Sequence, residues 1–287
     1  MDINKKRLYA MSEGKNDLTV VVTTFYRWPL VASLVESLAH RMECKILVVN
    51  DGGDIASPDI LNRIDALATI LNLEENVGQA RAIDAGAKAV TTSHMLYIDS
   101  DDTLELLENE FDLIAKLESN IVLFPRYIEL GDRRRTRVLD EPVSDADLRF
   151  HTIGTHSGFI ISLEAYTKVG AYDPALASHI DWDYIIRLKD QGVIFDTYEC
   201  RLLYSTEPGG ISRNLRRVYR GRVQLWAKHR RVFPNMGRLP DYLRLLKYSI
   251  GNCAIEPFRR SDNIGYLIFK SVHFFPRKLY LLFKRFL

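Results

Sequence analysis

Short, continuous apolar runs alternate with amphipathic stretches over the first 125 residues, and this spacing predicts strands separated by helices. LTVVVTT at 18–24 is rich in β-branched residues, as a strand buried on both faces should be. WPLVASLVESLAH follows, with Pro29 placed for a first helical turn. KILVVN (45–50) is a second strand ending in the turn sequence DGGD, and TILNLE (69–74) a third. NVGQARAIDAGAKAV, with Gly78 near its start, reads as helix. HMLYID (94–99) is a fourth strand, running directly into Ser100-Asp101-Asp102. TLELLENEFDLIAKLES then predicts a helix ahead of the strand IVLFPRYIEL at 121–130. The alternation predicts right-handed βαβ units and an open α/β sheet, parallel and covered on both faces.

The pattern loosens after residue 130. GDRRRTR predicts a turn between two extended segments, and 140–156 is too polar for any element. SGFIIS reads as strand, LEAYTKVG as a short helix ending at Gly170, and DWDYIIRLKDQG as a short helix closed by Gly192. VIFDTY and RLLYST read as two extended segments, and the chain is helical and basic from Ser212. EPGG at 207–210 marks the expected division between a domain of residues 1–210 and an extension of 211–287.

Composition changes this picture mainly through charge. The net charge of +2 conceals 19 Lys+Arg against 4 Asp+Glu from Arg201 onward, and 20 against 33 before it. An acidic body joined to a basic tail predicts two tasks in one chain. Cys44, Cys200 and Cys253 are far apart and odd in number, without metal-ligand spacing or a disulfide framework. The first residues, MDINKKRLYAMSEGKND, lack the apolar stretch of a secretory signal, so a reducing cytoplasm is expected.

Ligands of open α/β sheets collect beyond the carboxyl ends of the strands. Thr23, Asp51 and the cluster Asp99-Ser100-Asp101-Asp102 are all expected there. Three carboxylates within four residues repel one another unless a cation or hydrogen-bond donors compensate, and oxygen ligands of this kind suit Mg²⁺ or Mn²⁺. The competing structural role is a cap, Asp101 or Asp102 ahead of a helix at Thr103. No GxxxxGK[ST] and no GxGxxG after the first strand is present, which counts against P-loop and dinucleotide enzymes.

An ordered series of segments over residues 18–212 resembles the inverting family 2 glycosyltransferases of GT-A fold. VVVTTFYR is similar to that family's first strand and nucleotide loop, VVNDGGD to its DDGS turn, and NVGQARAIDAG to its N-x-G-x-x-x-A-R segment. YIDSDD resembles the DxD segment and HIDWDYIIRL the E-D-x-D-x-x-x-R-L segment. The resemblance implies a Rossmann-like, mixed but mostly parallel sheet. It puts Thr23, Phe25, Asp51, Arg81, Asp99 and Asp101 on a nucleotide-sugar donor, with Asp51 suited to uracil. It assigns Mn²⁺ or Mg²⁺ to Asp101 and Asp102, and the role of catalytic base to Asp181. Local sequence alone would equally make Asp181 a helix cap. His156, Trp182 and Asp183 stand where acceptor-facing groups occur; a hydrogen-bonded loop histidine and a core tryptophan are the plainer roles. The chain departs from the pattern at Ile180, where Glu is usual, and at Glu207 of TEPGGIS, where His is usual.

The chemistry so implied is an inverting transfer to a saccharide or lipid-linked saccharide acceptor in bacterial surface polysaccharide or lipopolysaccharide synthesis. ISRNLRRVYRGRVQLWAKHRRVF (211–233) holds eight basic residues and no acidic one, and IGYLIFKSVHFFPRKLYLLFKRFL (264–287) mixes five basic residues with aromatics and leucines. Such helices suit the interface of an anionic membrane, so a peripheral location on the inner face is expected. Nucleic acid is not an expected partner, and the homo-oligomeric state is open. The rival readings are a binding or scaffold protein of the same fold without turnover, and a nucleotidyltransferase, for which TTFYRWP lacks the glycine-rich basic loop.

Overall fold

The computed structural model describes residues 17–130, 135–138, 155–205 and 214–233. The readings for residues 1–16 and 139–154, the EPGG linker, Glu207, Cys253 and the basic segment beyond Phe233 lie outside the described residues. Two compact units divide the chain. One runs to Ala175 and resumes over Ile180–Thr206; the other joins Leu176–His179 to the segment from Glu207 onward.

Among the described residues the first unit holds nine strands: β1 Leu18–Thr24, β2 Lys45–Asn50, β3 Thr69–Asn72, β4 His94–Asp99, β5 Thr103–Leu106, β6 Ile121–Leu130, β7 Arg135–Val138, β8 Ile160–Ser162 and β9 Ile194–Tyr204. Its helices are α1 Trp28–Arg41, α2 Pro58–Ile64, α3 Gln79–Ala89, α4 Glu110–Ile114, α5 Leu163–Val169 and α6 Ile180–Asp190. The strands form one sheet in the order β3-β2-β1-β4-β8-β6-β9-β5, with β7 beside β6.

The first four strands are parallel, as their unbroken apolar runs predict. Every residue of β1 is buried. Helix α1 turns Val31, Ala32, Leu34, Val35 and Leu38 inward at helical spacing, with Pro29 in its first turn. Helix α3 lies so close to the sheet that a Cβ on Gly86 would stand 2.6 Å from Val21 Cγ1. The pairing Thr23↔Asp99 sets the carboxyl ends of β1 and β4 side by side. Loss of side-chain volume from this core, as in Leu38→Ala, costs about 2–5 kcal/mol.

The second half is mixed. β8 runs antiparallel between β4 and β6, β9 runs parallel to β6, and β5 runs antiparallel to β9. Here two expectations are corrected. Residues 103–106 are a strand and not the start of a helix: Thr103 pairs with Leu203 and Leu106 with Cys200. Only Glu110–Ile114 of that segment is α-helical. The two extended segments after Gly192 are a single strand, β9, whose register against β6 shifts between Pro125 and Tyr127. Pro125 has no N–H to give a ladder, and a bulge is where a sheet tolerates it.

In the second unit, α7 (Leu215–Lys228) opens on Asn214, whose side chain accepts the Arg217 N–H at 3.0 Å. The segment Leu176–His179 packs on this helix at Gly221, where a Cβ would meet Ser178 Oγ at 2.1 Å. Ala177 donates its N–H to Gln224 Oε1 at 2.9 Å. Among the described residues no helix is long and apolar enough to cross a membrane.

Candidate active site

The carboxyl edge of the parallel strands gathers the polar groups singled out in the sequence. Asp51 follows β2 and is buried; its two oxygens accept the backbone N–H groups of Val77 at 2.8 Å and Gly78 at 3.1 Å. It ties the DGGD turn to the loop entering α3. Gly52 makes that closeness feasible: its φ is +70°, and a Cβ there would lie 2.0 Å from the Glu75 carbonyl carbon. A carboxylate has about four acceptor positions, so Asp51 keeps capacity for a further donor. Arg81 lies exposed in the first turn of α3.

Asp99 ends β4 in a hydrogen-bonded network. Its Oδ1 accepts Tyr97 Oη at 2.5 Å and Gln79 Nε2 at 2.8 Å, and its Oδ2 faces His156 Nε2 at 3.5 Å. Tyr97 Oη also meets Thr23 Oγ1 at 2.8 Å, and the Asp99 N–H is given to Ser157 Oγ. Burial alone would favour the neutral acid, but His156, Tyr97 and Gln79 together hold the Asp99 carboxyl below its ordinary range. Burial disfavours the His156 imidazolium, yet Asp99, with the fields of Asp181 and Asp102, raises it above its ordinary value. The His156 ring stands edge-on to Tyr97 and Tyr172, and its Nδ1 is buried without a hydrogen-bond partner.

The next two carboxylates differ. Asp101 is partly exposed and ion-paired with Arg27, the residue at the start of α1. Asp102 is buried: its Oδ1 accepts the Ser205 N–H at 2.8 Å, while its Oδ2 has no hydrogen-bond partner. Burial, followed by the charge of Asp99, pushes Asp102 up to about 8. With a strand at Thr103, neither aspartate caps a helix there. Among the described residues no group of three His, Cys, Asp or Glu side chains is arranged to hold a metal. Asp101 and Asp102 instead offer one or two hard oxygens, which fits a divalent cation completed by a ligand's phosphates. The orphaned Oδ2 of Asp102 is the observation that favours this fit, since a buried unpaired carboxylate oxygen is costly.

Asp181 is the second residue of α6, inside the first turn and half-buried. It faces the same region: the phenol of half-buried Tyr204 is pushed up by desolvation and then by Asp99, Asp102, Asp181 and Asp101. One side chain therefore senses all four carboxylates. Trp182 and Asp183, expected toward an acceptor, point inward instead, at 1% and 0% exposure. Asp183 pairs with Arg187 at 2.9 Å, and Arg187 also donates to the Val169 and Ala171 carbonyls and covers the Tyr184 ring. The pair fixes α6 against the turn that precedes it. Phe25 lies exposed on the rim, edge-on to Tyr26, whose φ of 59° swings the chain out of β1.

Arg27, Gln79, Tyr97 and Tyr204 were not evident from the sequence. None has a residue type that marks it locally; their convergence comes from strand pairing.

Comparison with known proteins gives this edge a context. Residues 19–174 match the family described as glycosyl transferase family 2. An uncharacterized glycosyltransferase of Bacillus subtilis, YwdF, is 23% identical over 188 residues, covering 59% of this chain and 67% of its own length. The teichoic acid poly(glycerol phosphate) polymerase of Staphylococcus epidermidis is 27% identical over 135 residues, covering 42% of this chain but only 19% of its own. Among solved structures, a mannosyltransferase of Pyrobaculum calidifontis, solved in complex with GDP-Man and Mn²⁺, aligns with a TM-score of 0.53 at 15% identity over 79% of this chain and 66% of its own. TarS of S. aureus aligns with a TM-score of 0.53 at 14% identity over 80% of this chain and 47% of its own. At these identities the two structures speak for the fold, which is GT-A. With more than half its length matched, and with that fold, the chain belongs to glycosyl transferase family 2.

Proposed function

We propose that the chain transfers a sugar, with inversion, from a nucleotide-diphosphate donor to a saccharide acceptor during synthesis of a bacterial surface glycan. The observation that carries this reading is the single carboxyl edge on which Thr23, Asp51, Asp99, Asp101 and Asp102 converge, with Asp181 in electrostatic reach. The Pyrobaculum neighbour's GDP-Man and Mn²⁺ support a nucleotide-sugar donor and a divalent cation, and the polymerase relative supports surface-glycan chemistry.

In this mechanism Phe25 and Thr23 receive the base and Asp51 orients it, the sequence favouring uracil. Asp99, held ionised by its network, and Arg81 line the ribose and diphosphate. Asp101 and Asp102 would hold Mn²⁺ or Mg²⁺, which supplies positive charge against the leaving diphosphate. Asp181 takes the proton from the acceptor hydroxyl as its oxygen forms the new bond to the anomeric carbon. The bond from that carbon to the phosphate oxygen breaks on the opposite face, and the diphosphate leaves with the electron pair. His156, buried beside Asp99, holds its proton more tightly than an ordinary histidine. Trp182 and Asp183 act from the interior, by setting α6.

Residues 1–210 form the catalytic domain in this reading, and 211–287 a basic extension that docks on the inner face of the membrane. The excess of basic residues after Arg201 supports the extension's role. Substitution Asp181→Asn tests the mechanism. Turnover should fall by about 10²–10⁴ while donor binding is kept; wild-type turnover in that variant removes Asp181 as the base.

A further inference from the structure

Arg27 is a basic residue that the mechanism above leaves unused, and it occupies a telling position. The chain leaves β1 through Tyr26, whose left-handed φ of 59° turns it across the sheet edge. Because Thr23 of β1 pairs with Asp99 of β4, the residues just beyond these two strand ends face each other. Arg27 meets Asp101 there: its Nη1 donates to Asp101 Oδ2 in an ion pair. Both side chains keep access to solvent, 39% for Arg27 and 24% for Asp101, so neither is locked in the core. The buried pair Asp183–Arg187 is different, its carboxylate fully enclosed and its guanidinium also fixed by two backbone carbonyls.

Resting on the donor-site reading, we propose that Arg27 is an exchange residue. With no donor bound, its guanidinium takes the place of the divalent cation on Asp101; when donor and cation arrive, it moves to the diphosphate. The chemistry favours both positions. A planar guanidinium pairs with carboxylates and with phosphate oxygens through the same fork of N–H donors. Asp101 cannot serve Arg27 and a cation at full strength through the same Oδ2, so the two compete. The diphosphate presents the nearest new acceptors for the displaced arginine and makes the exchange favourable only when donor and cation bind together. Arg27 thereby limits binding of cation in the absence of donor and adds to the hold on the donor once it is present.

The two halves of the exchange predict effects of opposite sign, both readable without turnover or knowledge of the nucleotide base. Manganese alone is titrated into the full chain, wild type and Arg27→Gln, with free Mn²⁺ followed by electron paramagnetic resonance. Removing the competing guanidinium should tighten Mn²⁺ about fivefold, as the loss of a partly exposed ion pair allows. Pyrophosphate titrated calorimetrically at saturating Mn²⁺ should bind Arg27→Gln several-fold more weakly than wild type, with Arg27→Lys in between because it keeps charge but loses the fork. Equal Mn²⁺ affinity, or equal pyrophosphate affinity, in wild type and Arg27→Gln overturns the exchange. Asp101→Asn separates this failure from a failure of the donor-site reading. If that variant loses Mn²⁺ while Arg27→Gln matches wild type, Asp101 holds the cation and only the exchange is wrong. If it binds Mn²⁺ as wild type does, both the exchange and the placing of the cation on Asp101 are wrong.

Discussion

Two groups of buried polar side chains lie within the first unit and differ in how completely they are satisfied. At the carboxyl ends of β1 and β4, Thr23, Gln79, Tyr97 and Asp99 are joined by hydrogen bonds, and Asp51 holds the Val77–Gly78 backbone that leads into Gln79. Toward α6 and β8, Asp102 Oδ2, His156 Nδ1, Tyr172 Oη and Tyr184 Oη are buried without partners. Thr24 Oγ1 at the end of β1 shares that condition. A satisfied network fixes a shape, whereas an orphaned group lowers stability until something meets it. The first group is thus organised in advance for a ligand, and the second carries the unmet valences that a cation or ligand would satisfy.

This contrast is breakable first at Gly52. Gly52→Ala would force a left-handed residue against the Glu75 backbone, and should cost about 3 kcal/mol, summing the backbone and overpacking penalties. Chemical denaturation measures the loss; an unchanged midpoint would mean the loop is not held as described. Two tyrosine substitutions then sharpen the comparison. Tyr97→Phe removes a hydroxyl bonded to both Asp99 and Thr23 and should lower stability by about 1–2 kcal/mol. Tyr172→Phe removes a hydroxyl without a partner and should be neutral or stabilising by up to about 1 kcal/mol. Equal losses in the two variants would erase the distinction between the groups.

The smallest effect is one of pH. His156 binds its proton more tightly folded than unfolded, so its pairing contributes fully below its ordinary value of 6.5 and is lost as pH rises through the higher folded value. Asp99 is the mirror case: its contribution is present above its ordinary 3.8 and is lost as pH falls through the lower folded value. The melting-temperature gap between wild type and His156→Gln should therefore be widest from about pH 4 to 6.5 and narrow on the alkaline side. A gap constant from pH 5 to 9 would mean that folding leaves the proton affinity of His156 unchanged.

The same two halves differ in how far the sequence reveals them. β1, β2 and β4 were legible to the residue, because a strand covered on both faces has to be a continuous apolar run. TLEL at 103–106 was not, since leucine and glutamate favour helix locally and only pairing with Leu203 to Cys200, almost a hundred residues on, makes it a strand. The carboxylates of the site were visible because they cluster at a strand end. Gln79, Tyr97 and Arg27 were invisible because glutamine, tyrosine and arginine are ordinary at those places until β1, β4 and α3 are brought together. The inward turn of Trp182 and Asp183 was likewise hidden, for it depends on what packs over α6.

In the function proposed, the carboxyl edge of β1, β2 and β4 binds a nucleotide-diphosphate donor together with a divalent cation. A thermal-shift screen of nucleoside diphosphates and nucleotide sugars, each with and without Mn²⁺ or Mg²⁺, tests it directly. A ligand at a hundredfold excess over its dissociation constant stabilises the native state by about 2.7 kcal/mol. One nucleotide series should give a shift that depends on the metal and is lost in Asp101→Ala. No shift with any nucleotide, or a shift unaltered in Asp101→Ala, would contradict that function.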